Sequence, residues 1–211
     1  MPEASMSLDG TTLFLFGLRW LHFIFGITWI GLLYFFNFVN GPFAKTMDAA
    51  TKKLVVPQLM PRALWWFRWG AMITFITGWI YIGTKQSLNG ASMFGENGLF
   101  STTWGQWITL GATLGSIMWF NVWFVIWPEQ KKLITWTKNG EAPPEMAGLT
   151  KKAFLASRLN TYLSVPMLFC MAAASHLPAF NLVYVLSAFV IGIVLVWHLV
   201  NKVAGKVGAN F

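Results

Sequence analysis

Five long apolar segments constrain the fold of this chain more than any other feature of its sequence. A transmembrane α-helix needs about 20 consecutive, predominantly apolar residues to cross the hydrocarbon core of a bilayer. Only 10% of the residues are charged, whereas a soluble domain carries about 25%. We therefore predict an all-α integral membrane protein, a bundle of five transmembrane helices forming one domain over residues 1–211. The predicted spans cover about 13–38, 63–84, 104–127, 154–176 and 180–201.

The segments between these spans alternate between lysine-rich and nearly uncharged, and this alternation predicts the orientation of the bundle. Segments 39–62 and 128–153 and the tail after 201 carry most of the lysines, whereas 85–103 and 177–179 carry almost no charge. Because basic segments stay on the cytoplasmic side, we expect the N-terminus outside and the C-terminus in the cytoplasm. The net charge of +8 is then a topological signal, so we expect membrane lipid, and no nucleic acid, as a partner.

Prolines mark the expected ends of several helices. Gly41-Pro42 predicts the end of the first helix and Pro128 the end of the third, because proline lacks a backbone N–H and disrupts a regular helix. Pro57 and Pro61 predict an irregular segment before the second span.

The first span carries ionisable residues that predict a functional site. Arg19 and His22 lie three residues apart, so they share one face of a helix, and Gly26 and Trp29 continue the same stripe. Ionisable groups within a span are costly and usually face protein or a bound group. A flat macrocycle could lie over Gly26 with its iron on His22 and a propionate on Arg19, which predicts heme b as the cofactor. Alternatively, His22 hydrogen-bonds a neighbouring helix and binds nothing.

A second histidine completes the predicted metal site. His176 ends the fourth span on the same side of the membrane as His22, so the two form the natural bis-imidazole pair for a heme iron. His198 lies near the opposite side and cannot join that pair.

Polar residues near the cytoplasmic ends of the spans predict a site for an anion. The set comprises Arg68, Asn121, Arg158, Asn160 and His198, and no Asp or Glu falls within a predicted span. Buried cations without acidic partners need an anion or backbone carbonyls to offset their desolvation. A heme propionate, a lipid phosphate or an anionic substrate would each serve. Alternatively, Arg158 reaches the lipid headgroups and His198 is an interfacial polar cap.

Most of the chain resembles the membrane domain of the cytochrome-linked bacterial urate hydroxylases, the urate oxidase N-terminal family. The similar segments are RWLHFIFGITWIG (19–31), LWWFRWGAMITFITGW (64–79), GATLGSIMWFNVWFVIWPEQKK (111–132), NTYLSVPMLFCMAAASHLP (160–178) and WHLVNK (197–202). The resemblance implies a redox protein of the bacterial inner membrane that passes electrons to a c-type cytochrome, with urate as the substrate. Similar heme-binding membrane families place an iron ligand at the position of His22.

The chain departs from the family pattern at positions that bear on its chemistry. The longer members carry a C-terminal c-type cytochrome domain, whereas this sequence has no C-x-x-C-H motif and resembles a short form. Trp65, Gly70 and Leu159 stand where the family pattern has His, Glu and His, and Arg68 replaces a Lys. The resemblance therefore implies that proton-transferring groups are absent here.

Three hypotheses for function follow. The retained His22 and His176 favour the first, a heme b electron-transfer or accessory subunit that works with a c-type cytochrome or a respiratory complex. The second is a urate hydroxylase that oxidises urate to 5-hydroxyisourate, with Arg68, Asn121 and Arg158 holding the anionic purine. The third is a non-redox structural subunit of a membrane complex.

Overall fold

The computed structural model describes residues 9–88, 90 and 94–207, and this part of the chain contains helices and no strand. The outermost residues of the predicted 1–211 domain, and part of its predicted outer loop, lie outside the described residues. The helices are α1 (Gly10–Tyr34), α2 (Gly41–Thr46), α3 (Ala49–Leu88), α4 (Thr103–Phe120), α5 (Trp127–Asn139), α6 (Met146–His176) and α7 (Leu182–His198). Three π-helical segments join or extend them: π1 (Phe35–Asn40), π2 (Asn121–Ile126) and π3 (Leu199–Val203). The prediction of an all-α fold is confirmed.

Within the described part of the chain, three continuous helical stretches are long and apolar enough to cross a membrane. They are Gly10–Thr46, Thr103–Asn139 and Leu182–Val203, and they contain the first, third and fifth predicted spans. The second and fourth predicted spans lie within α3 and α6, where arginines, threonines and other polar residues dilute the apolar sequence. The structure therefore supports a helical membrane protein, and the count of five spans stays a prediction.

The expectation that Pro42 and Pro128 end helices was wrong. Each proline follows a π-helical segment by two residues, and the helix continues past it to Thr46 or Asn139. A proline ring clashes with the carbonyl four residues before it in a regular α-helix. The wider turn of a π segment accommodates such a disruption without ending the helix.

The two lysine-rich segments are mostly helical rather than irregular, which also corrects the sequence prediction. Pro57 and Pro61 lie inside α3. This helix begins after Asp48, whose carboxylate accepts a hydrogen bond from the backbone N–H of Thr51 at 2.7 Å, as is typical of a residue preceding a helix. The basic segments therefore form a helical extension beyond the predicted spans.

The helices place different side chains at the two ends of the bundle. At one end, which we call the His22 end, Arg19 lies over the ring of Tyr81 at 5.7 Å and Lys85 lies over Trp104 at 3.9 Å. The other end, which we call the lysine-rich end, comprises α2, the start of α3, α5 and the start of α6.

Close packing of α1 against α3 fixes one side of the bundle. A Cβ added at Gly70 would lie 3.2 Å from the backbone N of Trp29, and one added at Gly78 would lie 2.9 Å from Cε1 of His22. Trp29 is only 2% exposed, and the buried residues around it include Leu33, Phe67, Ala71 and Met118. Glycine thus allows the backbones to approach closely, as in other membrane helix pairs.

Replacing Gly70 by alanine tests this contact. The added Cβ would meet the backbone of α1, at 3.2 Å from Trp29 N and 3.3 Å from Phe25 O, and overpacking of this kind costs about 1–3 kcal/mol. We expect Gly70→Ala to lower the midpoint of thermal unfolding in detergent. Gly83→Ala is the matched control on the same helix, because nothing lies within 4 Å of its Cβ position. Equal midpoints for the two variants would contradict the close contact.

Candidate functional site

His22 is held by the neighbouring helix. Its Nδ1 lies 2.9 Å from the carbonyl oxygen of Thr74 in α3. A carbonyl can only accept a hydrogen bond, so Nδ1 carries the proton and Nε2 keeps its lone pair. The expected hydrogen bond from His22 to a neighbouring helix is therefore present. The same bond also fixes the tautomer that a metal-ligating histidine uses.

Helix α3 packs against the stripe beside His22. Thr74 Cγ2 lies 3.8 Å from a Cβ built on Gly26, and the backbone of Trp29 packs against Gly70. The face predicted to support a flat macrocycle is thus occupied by α3. Arg19, predicted to bind a propionate, is exposed and lies over the ring of Tyr81.

The two histidines predicted to share an iron make separate hydrogen bonds. His176 is exposed at the end of α6, and its Nδ1 donates to the Ala172 carbonyl of the same helix at 2.9 Å. Neither a hydrogen bond nor a ring contact joins His22 to His176 in the described structure. The described residues also contain no group of three or more His, Cys, Asp or Glu side chains placed to hold a metal ion. The bis-imidazole site stays a prediction.

Two of the predicted polar residues meet in the interior. Asn121, the first residue of π2, donates from Nδ2 to Oδ1 of Asn160 in α6 at 2.8 Å. Asn160 is 0% exposed and donates in turn to the Met118 carbonyl at 2.9 Å. Because both side-chain groups of Asn160 are thereby paired, this contact ties π2 to α6. His198, by contrast, is exposed at the end of α7.

Arg68 lies among three tryptophans, and we call this group the Arg68 cage. The centre of its guanidinium lies 4.1 Å from the Trp127 ring, 4.9 Å from Trp123 and 5.8 Å from Trp69. Cation–π contacts at partly exposed sites stabilise a cation by about 0.5–1 kcal/mol each. Nε of Arg68 and Nε1 of Trp123 are nevertheless buried without a hydrogen-bond partner. The cage therefore holds two unpaired donors next to aromatic faces.

Arg158 lies on a different face of α6 from the buried Asn160. It lies two residues from Asn160 on α6, and two residues turn a helix by about 200°, so the two side chains leave nearly opposite faces. The guanidinium of Arg158 lies over Phe154 at 5.0 Å, and its Nη1 is buried without a partner. The structure thus separates Arg158 from Asn121 and Asn160, with which the sequence analysis grouped it.

Glu129 is a buried carboxylate that the sequence analysis left unassigned. It is 7% exposed, and its Oε1 lies 2.6 Å from Nζ of Lys152, whereas Oε2 is buried without a partner. The spacing of Val122, Ile126, Glu129 and Leu133 is that of one helical face. This pattern indicates that Glu129 is buried, but only if the helix continues through Pro128, where the sequence predicts a helix end.

Comparison with known proteins supports one family. A family model described as urate oxidase N-terminal matches residues 87–207, which is more than half of the chain. The matched part includes Asn121, Arg158, Asn160, His176 and His198. The first span and Arg68 lie outside it. No curated protein and no solved structure matches the chain.

Substitution of Asn160 tests the buried contact between π2 and α6. Asn160→Leu would leave the Asn121 amide without its acceptor, and an unpaired buried polar group costs about 1–3 kcal/mol. We expect a lower midpoint of thermal unfolding in detergent. Asn201→Leu is the control, because Asn201 is exposed and its amide bonds only to Trp197 of its own helical stretch. A midpoint unchanged by Asn160→Leu would contradict the assigned role.

Proposed function

Because this chain belongs to the urate oxidase N-terminal family, we propose that it is a membrane redox protein that binds a flat heteroaromatic anion of the urate class at the Arg68 cage. We further propose five membrane passes, with the lysine-rich end in the cytoplasm of a bacterial cell. Asn121 and Asn160 hold π2, which carries Trp123, in place against α6.

The observation that carries the proposal is the unpaired state of Arg68. Within the described residues the one salt bridge joins Lys152 to Glu129, so Arg68 has no acidic partner there. Tryptophan faces offset part of the cost of burying its charge, but they accept no hydrogen bond from Nε. A planar anion answers both needs, because it can stack on an indole and accept hydrogen bonds from a guanidinium. Urate, a planar purine anion, has this chemistry.

Oxidation of urate at this site would require a separate electron acceptor. Conversion of urate and one water molecule to 5-hydroxyisourate releases two protons and two electrons. The protons would pass to water, because the buried Glu129 lies two residues from Trp127 on α5 and so leaves a face nearly opposite to the Arg68 cage. A c-type cytochrome or a subunit of a respiratory complex would take the electrons.

Because this chain departs from the family pattern, it could bind urate without oxidising it. A glutamate could not replace Gly70 here without moving α1, because a Cβ at that position already lies 3.2 Å from Trp29 N. At position 70, where the family pattern has a glutamate, this chain has a glycine that packs α3 against α1. Anion binding without turnover, in an accessory subunit, would be consistent with that difference.

A second candidate function, electron transfer through heme b, is favoured by the fixed tautomer of His22. Its Nδ1 bond to Thr74 leaves Nε2 as the iron-binding nitrogen. Heme b would supply a one-electron carrier. The group would have to approach from the Nε2 side, since α3 fills the Gly26 face.

Equilibrium dialysis with radiolabelled urate tests the first proposal. We expect Arg68→Gln in nanodiscs to weaken urate binding about tenfold or more, because a tenfold change is about 1.4 kcal/mol and removal of a buried charge partner costs at least that. Arg62→Gln, an exposed arginine on the same helix, is the control and should bind like the wild type. Equal binding by Arg68→Gln, or equal binding of the uncharged purine caffeine, would refute the site.

The same preparations separate oxidation from binding. Urate-dependent reduction of ferricytochrome c, at two equivalents per urate and absent from Arg68→Gln, would support turnover. Binding without reduction would support the accessory role, and neither binding nor reduction would leave the heme b electron carrier and the structural subunit as hypotheses.

A pyridine hemochrome spectrum tests the second candidate. We expect wild-type protein to carry heme b and His22→Ala to lose it, whereas His198→Ala, at the other end of the bundle, should keep it. Colourless wild-type protein from heme-sufficient cells, or pigment retained in His22→Ala, would exclude His22 as the ligand.

A further inference from the structure

A groove at the lysine-rich end lies apart from both candidate sites. Its volume is about 820 Å³, and it runs between α2 and the first two turns of α6. Its floor is apolar and comes mainly from Pro143, Pro144, Met146 and Phe154. The groove therefore presents hydrocarbon at the surface of the chain.

Cations border this apolar floor. Lys45 of α2 and Lys151 of α6 contribute to its lining, and no acidic residue does so. Two acids belong to the connecting segment: Glu141 accepts a hydrogen bond from Asn139 at 2.8 Å, and Glu145 is exposed outside the lining. The lining of the groove thus combines an apolar surface with two lysines.

Arg158 adds a third cation on the same side of α6. Ala147, Lys151, Phe154 and Arg158 are spaced by four, three and four residues, so they share one helical face. Helical side chains point back towards the N-terminus, and the Arg158 guanidinium accordingly lies over Phe154 at 5.0 Å. Its Nη1, buried without a partner, provides a donor beside the groove.

The position of the groove matches the boundary of a bilayer. Phe154 begins the fourth predicted span, and Lys151 precedes it by one turn. Lys151 thus lies at the level of the lipid phosphates and Phe154 at the level of the acyl chains, whereas Met146 and the two prolines lie farther from the membrane. Clustered lysines and arginines next to a membrane span attract anionic lipid headgroups.

We propose that this groove binds an anionic phospholipid. An acyl chain packs on Phe154, on the membrane side of Lys151, and the headgroup phosphate binds Lys45 and Lys151, with Arg158 as a further donor. The remainder of the headgroup covers Met146 and the two prolines. This inference does not depend on the proposed function, because the Arg68 cage contributes no residue to the groove.

Native mass spectrometry of the full chain tests the proposal with phosphatidylglycerol and phosphatidylcholine as probes. We expect phosphatidylglycerol to bind about tenfold more tightly, and the double variant Lys45→Gln/Lys151→Gln to lose that preference, since each basic residue near a headgroup contributes about a fivefold factor. The control is Lys132→Gln/Lys138→Gln, which removes the same charge from exposed lysines outside the lining. It should keep the preference.

Competing ligands distinguish the source of the phosphate. Inorganic phosphate at millimolar concentration should not displace the lipid, because it cannot cover the apolar floor. Equal binding of the two lipids, an equal loss in the control variant, displacement by phosphate alone, or tighter binding of a hexaglutamate peptide than of the lipid at the same lysines would each overturn the proposal.

Discussion

The packing of this bundle depends on pairing polar groups where no water is present. An unpaired polar group in an apolar interior costs several times the net gain from a formed hydrogen bond. One face of α6 illustrates the constraint, because its buried polar residues bond to three other elements. Ser164 pairs with Tyr34 of α1, Ser157 with Asn37 of π1, and Asn160 with Asn121 of π2. These bonds fix the register of α6 against its neighbours.

The two proposed anion sites rest on arginines whose buried nitrogens lack such a partner. Arg68 and Arg158 each keep a buried guanidinium nitrogen without a partner, although three tryptophan rings lie beside Arg68 and one phenylalanine ring beside Arg158. The two arginines have different neighbours, so we expect them to bind different anions. Trp123 and Trp127 present indole faces to Arg68, which suits a planar anion. Phe154, the ring beside Arg158, helps to form an open apolar groove, which suits a lipid.

The sequence predicts the helices well, because the length of the apolar segments depends on local composition. The burial of Asn160 likewise follows from its position inside one of these segments. Tertiary packing decides the features that the sequence does not predict. The sequence around Gly26 indicates space for a cofactor, whereas Thr74, from a distant part of the chain, occupies that space in the structure. Similarly, Pro128 predicts a helix end, whereas the wider turn of π2 accommodates the proline and the helix continues. Because the sequence predicts a helix end there, it does not predict the burial of Glu129.

Solid-state NMR of protein labelled with ¹⁵N-arginine in bilayers tests most directly whether the unpaired guanidinium groups mark anion sites. The chain has only four arginines, so Arg68→Lys and Arg158→Lys variants assign their signals. Recoupling experiments would report contacts of these nitrogens with ¹³C-urate and with lipid ³¹P. We predict a urate contact for Arg68 and a phosphate contact for Arg158. Absence of any anion contact at both arginines, in samples saturated with urate and phosphatidylglycerol, would contradict the account.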